Sequence, residues 1–120
     1  MISWIYISLA VNIVVLVPIL VLMATKSPLI DHAWGGFTAA RGILMSIYFA
    51  ILAMSLFLVF KPVPSLVFAL LLVQVIYKVT TPFTVRSFSN PVVISNLAIS
   101  ALHIGTLIHI APTIQNQLGY

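Results

Sequence analysis

The segment from Pro91 to Ala111 constrains the fold most, because it is apolar and long enough to cross a bilayer. It also carries polar side chains along one helical face: Asn96, Ser100, His103 and Thr106. Lipid tails offer these groups no hydrogen bonds, so neighbouring helices have to enclose them. The segment therefore predicts a bundle of membrane-spanning helices rather than an isolated helix.

Three further apolar segments provide the neighbours that this segment needs. The predicted spans cover residues 3–24, 41–60, 66–81 and 91–111. Hydrophobic residues make up 62% of the 120-residue chain and charged residues only 5%, far below the roughly 25% that is usual in soluble domains. We therefore expect an all-α fold, a four-helix bundle with short loops that forms one transmembrane domain over residues 1–120.

The connection between the first two spans is the longest and most polar. Ser27 before Pro28 is typical of a helix start and Gly35–Gly36 of a helix end, which predicts a short interfacial helix from Pro28 to Trp34. Charged and titratable residues form a predicted membrane-surface cluster: Asp31, His32, Arg41 and Arg86. This cluster is either a small site at the membrane surface or a solvated loop in which the acid pairs with a nearby base.

Basic residues predict the orientation of the bundle. Four of them fall on the side of the first and third connections: Lys26, Arg41, Lys78 and Arg86. Lys61 alone lies on the opposite side. Because cytoplasmic loops carry the excess of Lys and Arg, both termini are predicted on the non-cytoplasmic side. The net charge of +4 is scattered rather than clustered, so no nucleic-acid partner is expected.

Small residues line one face of two spans and predict close helix packing. In the second span they are Gly42, Ser46, Ala50 and Ala53. In the fourth span they are Ala98, Ala101 and Gly105, roughly opposite the polar face. A helix with one polar and one small-residue face suggests enclosure on both sides, so the fourth span is expected at the centre of the bundle.

A rise of about 1.5 Å per residue places one hydrogen-bonding side chain from each span at a similar depth. This intramembrane polar layer comprises Asn12, Ser55, Gln74 and His103. A second polar level, about 6 Å closer to the cytoplasmic face, comprises Lys78 and Ser100, with Asn96 deeper still toward that face. The two levels either line a route for a solute or fix the register of the helices through interhelical hydrogen bonds.

The same residues argue against several kinds of chemistry. The chain has no cysteine and no acidic side chain other than Asp31, which excludes thiol and paired-carboxylate catalysis. His103 and His109 lie about 120° apart around a helix, so they cannot bind one metal together. We expect no enzyme, no catalytic residue and no metal site. The cofactor alternative is a haem held by His103 and Met54, or a pigment held by His103.

Three functions stay open, and each has the lipid bilayer as a partner. The first is a small non-catalytic accessory or structural subunit of a larger membrane complex, or a homo-oligomer, because small-residue faces suit helix partners. The second is a compact channel or transporter for a small solute, with a polar path through its intramembrane residues: His103, Gln74, Asn12 and Lys78. The third is a subunit that holds haem or a pigment.

Overall fold

The structure, a computed structural model, describes residues 2–118, and this part of the chain is helical, without strands. The helices are α1 (Ile2–Ala24), α2 (Asp31–Trp34), α3 (Ala39–Phe60), α4 (Pro64–Val85) and α5 (Pro91–Leu118). A 3-10 turn, Pro28–Ile30, leads into α2. Helices α1, α3, α4 and α5 are long and apolar enough to cross a membrane, which confirms the predicted all-α membrane bundle.

Two helices run past the point where the sequence predicts their end. The predicted third span ends at residue 81, but α4 continues through Pro82 to Val85. The predicted fourth span ends at residue 111, but α5 continues through Pro112 to Leu118. A proline inside a helix removes one backbone hydrogen bond, and helices in a bundle tolerate that loss where neighbours satisfy the freed carbonyl.

The short interfacial helix begins and ends where the sequence predicts. Ser27 Oγ accepts a hydrogen bond from the backbone N–H of Leu29 at 3.3 Å and starts the helical turn at Pro28. Gly35, with a φ of 78°, ends α2 in a conformation that glycine adopts without a steric cost. These local signals confirm the predicted helix, which is divided into the 3-10 turn and α2.

Asn90 fixes the start of α5 and joins it to α2. Its Oδ1 accepts a hydrogen bond from the backbone N–H of Val92 at 2.8 Å, as an N-terminal cap does. Its Nδ2 donates to the backbone carbonyl of Ala33 in α2 at 3.0 Å. The interfacial helix and the first turn of α5 therefore lie at the same end of the bundle, which we call the α2 end.

The four long helices pack as two close pairs. Helix α1 packs mainly on α3, and α4 packs mainly on α5, whereas the contact between α3 and α4 is slight. One buried apolar cluster includes Ile5 and Leu9 of α1, and a second includes Leu16 and Met23 of the same helix. Two polar residues of α1 face α5: Ser8, beside the first cluster, and Asn12, between the two clusters.

The small-residue faces point away from the rest of the chain. On α3, Gly42 is partly buried, and the other members of its stripe are exposed: Ser46, Ala50 and Ala53. On α5, Ala98 and Ala101 are exposed, and only Gly105 lies in a close helix contact. Helix α5 is thus enclosed on its polar face alone, and the expected central position of the fourth span is wrong.

Candidate functional site

His103 lies at the centre of a buried hydrogen-bond network that joins three helices. Its Nδ1 lies 3.1 Å from Ser8 Oγ and its Nε2 lies 3.0 Å from Asn12 Oδ1, both on α1. Asn12 Nδ2 donates to Ser55 Oγ on α3 at 3.1 Å. Ser8 Oγ lies 2.7 Å from Thr106 Oγ1, so a second residue of α5 belongs to the network. None of the five side chains is more than 2% exposed.

A neutral imidazole satisfies the partners of His103. With the proton on Nε2, His103 donates to Asn12 Oδ1, and its Nδ1 accepts from the Ser8 hydroxyl; this tautomer is assigned from the network. Ser8 then accepts from Thr106. Every member of the network has a hydrogen-bond partner, as buried polar groups require. The network therefore fixes the register of α1, α3 and α5 without any ligand.

Only some members of the predicted polar layer contact one another. Three of its four members belong to the His103 network: Asn12, Ser55 and His103. Gln74 of α4 is buried, but neither its Nε2 nor its Oε1 has a hydrogen-bond partner. Ser8 and Thr106 complete the network and are absent from the predicted layer, although their spacing of four and three residues from Asn12 and His103 indicates a shared face.

Unpartnered polar side chains continue from the network toward the α2 end. Ser100 Oγ, one turn from His103 on α5, is buried without a partner. Lys78, one turn from Gln74 on α4, is 6% exposed and has no hydrogen bond or ion pair with a described residue. A buried hydroxyl such as that of Ser100 costs about 1–3 kcal/mol when it is left unsatisfied. Water or a ligand is the ordinary remedy for that cost.

A cavity of about 200 Å³ lies beside Lys78, between α1, α2, α3, α4 and α5. Trp34, Tyr48 and Tyr77 form aromatic walls, and Asn96 lines the cavity from α5. Asn96 also donates to a threonine hydroxyl on α4 at 3.2 Å. The predicted second level, which comprises Lys78, Asn96 and Ser100, is therefore buried, but no hydrogen bond joins its members.

A wider recess of about 610 Å³ shares Trp34, Tyr48, Tyr77 and Asn96 with this cavity. The recess is lined further by threonines near the end of α4: Thr80, Thr81 and Thr84. Two of these threonines are exposed, so the recess reaches the surface at the α2 end. The cavity beside Lys78 can therefore be approached from one side of the bundle.

Arg41 and Asp31 form an ion pair at the α2 end, with Nη1 and Oδ1 2.8 Å apart. The same nitrogen donates to the backbone carbonyl of Gly35 at 2.7 Å. The Arg41 side chain is 3% exposed and that of Asp31 is 48% exposed. The predicted surface cluster is thus a paired acid and base; Arg86 is exposed at the end of α4, and the His32 side chain lies outside the described part of the structure.

Two of the basic residues that the orientation prediction places beside loops lie inside helices. Lys78 is within α4 beside the cavity, and Arg41 is within α3 and paired with an acid. The exposed basic residues at the α2 end are Lys26 and Arg86, against Lys61 at the other end. The excess is smaller than the sequence indicates, and the orientation of the termini stays a prediction.

The geometry of His103 does not favour a metal-bound cofactor. Both of its ring nitrogens are occupied by Ser8 and Asn12. Met54, the proposed second ligand, is 39% exposed on α3, whereas His103 is completely buried. A haem or pigment would have to break the network before it reached a histidine nitrogen.

No family model matches the chain, and no curated protein or solved structure is detectably similar to it. Four helices of sufficient length and hydropathy are those of a multi-pass membrane protein. Any finer function has to be inferred from the cavity, the buried polar residues and the exposed helix faces of this chain.

Proposed function

We propose that the protein is a compact channel or transporter for a small solute that enters from the α2 end. The observation that supports this function is the cavity beside Lys78, which reaches the surface through the wider recess. One turn beyond it, Gln74 on α4 and Ser100 on α5 are buried without hydrogen-bond partners. Polar groups in this position can replace part of the hydration shell of a solute that moves between the helices.

The unpartnered residues favour this function over a purely structural one. Polar residues that only fix helix register have partners, as Asn12, Ser55 and His103 do. Gln74 has two buried unpartnered atoms, and a leucine at its position would carry no such penalty. A solute or water that contacts Gln74 during passage gives a physical reason for the amide.

Solute flux into proteoliposomes tests the proposal directly. Light scattering should show faster entry of at least one solute from a panel of urea, glycerol, potassium acetate and potassium chloride than into protein-free vesicles. Gln74→Leu should reduce that rate at least tenfold because it removes the amide from the route. Val73→Leu changes the adjacent, exposed position and should leave the rate unchanged. Equal rates with and without protein for every solute would contradict the proposal.

Cysteine accessibility tests the route without knowledge of the solute. The chain has no cysteine, so a single introduced thiol is the only target for labelling. Ser100→Cys should react with a small, charged thiol reagent because the proposed route brings water to this buried position. Ala101→Cys, on the exposed face of α5, should react slowly because lipid disfavours the thiolate. Equal, slow labelling of both positions would show that no aqueous route reaches Ser100.

A homo-oligomer or a subunit of a larger complex is the second candidate. The observation that favours it is the outward small-residue stripe of α3: Gly42, Ser46, Ala50 and Ala53. Such stripes let a second helix approach closely in a membrane. Ala50→Leu should reduce cross-linking between copies in vesicles, or the recovery of a bound partner in mild detergent, without lowering the melting temperature. If mass and cross-linking match those of the wild type, the stripe faces lipid only.

A further inference from the structure

We propose that Lys78 binds the anionic group of a small amphipathic ligand, a carboxylate or phosphate on an apolar body, inside the cavity. This inference rests on the proposed function in one respect, namely that the cavity is a solute site. It further specifies that the ligand is an anion and that Lys78 selects it.

Lys78 has no counter-ion among the residues that the structure describes. Asp31 is the only acidic side chain in the sequence, and it forms an ion pair with Arg41 at 2.8 Å. The Lys78 ammonium lies over the Tyr77 ring, with Nζ 5.8 Å from the ring centroid. Because a buried charge is costly unless it is paired, an anion from outside the chain is the partner that this site lacks.

The walls of the cavity specify the rest of the ligand. Leu16 and Ile19 of α1, together with Trp34 and Tyr48, present aliphatic and aromatic surface. The side-chain amide of Asn96 has a second N–H besides the one that it donates to α4, and this N–H is suited to an anionic oxygen. The cavity volume of about 200 Å³ is several times the roughly 30 Å³ that one water occupies in the liquid. A small ring carboxylate or a single headgroup therefore matches the site in size.

Benzoate is the probe for a ligand that arrives from water. Trp34 lines the cavity, so its fluorescence should report occupancy. The other tryptophan, Trp4, lies against His109 away from the cavity, and Trp4→Phe removes its signal from all samples. Benzoate should change the Trp34 emission in a saturable manner, and benzamide, its neutral isostere, should bind at least tenfold more weakly.

Three lysine variants test whether the positive charge of Lys78 is needed to bind benzoate. Lys78→Met keeps most of the side-chain length and should weaken benzoate binding at least tenfold, to the level of benzamide. Lys78→Arg retains a cation and should bind benzoate within about threefold of the wild type. Lys61→Met removes an exposed lysine far from the cavity and should bind benzoate as the wild type does. Equal benzoate affinity in Lys78→Met and the wild type would exclude a soluble anion as the ligand of Lys78, and lipid retention then decides the inference.

A second arm distinguishes a soluble anion from a lipid. Protein in nanodiscs of mixed phosphatidylglycerol and phosphatidylcholine is analysed by native mass spectrometry for retained lipid. Preferential retention of phosphatidylglycerol that Lys78→Met abolishes identifies a lipid headgroup as the source, and benzoate binding alone identifies a soluble anion. If neither probe distinguishes wild type from Lys78→Met, the inference is wrong.

The outcomes separate this inference from the proposed function. Equal binding of benzoate and benzamide to the wild type, together with equal retention of phosphatidylglycerol and phosphatidylcholine, overturns anion selection and leaves the cavity as a site for neutral solutes. That comparison needs no variant at Lys78, so it decides the question even where Lys78→Met does not fold. Loss of anion preference together with normal solute flux contradicts only the role of Lys78, whereas absent flux contradicts the proposed function.

Discussion

Trp4 of α1 lies directly over Gly105 of α5, so that a β-carbon on Gly105 would come within 2.9 Å of the indole Cζ3. The same indole stacks on His109, with ring centroids 4.2 Å apart and planes inclined by 20°. Thr106, which follows Gly105 on α5, has its Oγ1 3.3 Å from the backbone carbonyl of Trp4. The start of α1 therefore packs against α5 at a point where Gly105 leaves room for the Trp4 indole.

Gly105→Ala should destabilise the bundle, because the new methyl group overlaps the Trp4 indole, which then has to shift from its stack on His109. Overpacking of this kind costs about 1–3 kcal/mol, and it should appear as a lower melting temperature in mild detergent. Gly36→Ala is the matched control, since a β-carbon there meets nothing within 4 Å and no positive φ is needed. If both variants melt at the wild-type temperature, Trp4 does not occupy this position.

Asn12→Leu tests the His103 network with a side chain of similar size. It leaves His103 Nε2 and Ser55 Oγ without their Asn12 partner in the middle of the bundle. Hydrogen bonds between membrane helices average about 0.6 kcal/mol each, and the orphaned groups raise the expected loss to about 1–3 kcal/mol. Reversible unfolding in mixed micelles measures it, with Val14→Ala, an exposed position on α1, as the control. Unchanged unfolding of Asn12→Leu would contradict the network.

Asp31→Ala should leave the buried guanidinium of Arg41 without an anionic partner. The expected loss of stability is about 1–2 kcal/mol, less than for a fully buried pair because Asp31 is half exposed. Thermal melting of the purified protein measures this loss, and Lys61→Ala, an exposed charge at the other end, should not change it. A wild-type melting temperature for Asp31→Ala would show that the ion pair contributes nothing.

Thiol labelling in intact cells tests the predicted orientation. With both termini outside the cytoplasm, the loop that contains Gly36 is cytoplasmic and the turn before α4 is external. A membrane-impermeant maleimide should therefore label Ser65→Cys in intact cells and label Gly36→Cys only after the cells are opened. Both positions are exposed, so access differs only by side. The reverse pattern would invert the topology.

Much of the fold follows from local signals. The Pro28–Trp34 helix depends on a serine cap, a proline and a glycine that lie next to one another in the chain. The ends of α4 and α5 could not be predicted from local signals in the same way. Pro82 and Pro112 would end a helix in water, but a packed bundle tolerates them inside the helices. The structure was also needed to show that Ala50 is exposed. A stripe of small residues predicts close packing but does not indicate which helix packs against it.

By itself, the sequence determined that four apolar helices lie in a bilayer and that their polar side chains turn inward, because lipid cannot satisfy hydrogen bonds. Only the tertiary structure decided which of those side chains meet. It pairs His103 with Asn12, leaves both amide atoms of Gln74 without a partner, and places Lys78 beside a cavity. The reason is geometric: depth follows from the rise per residue, whereas a hydrogen bond also depends on the rotation and spacing of two packed helices.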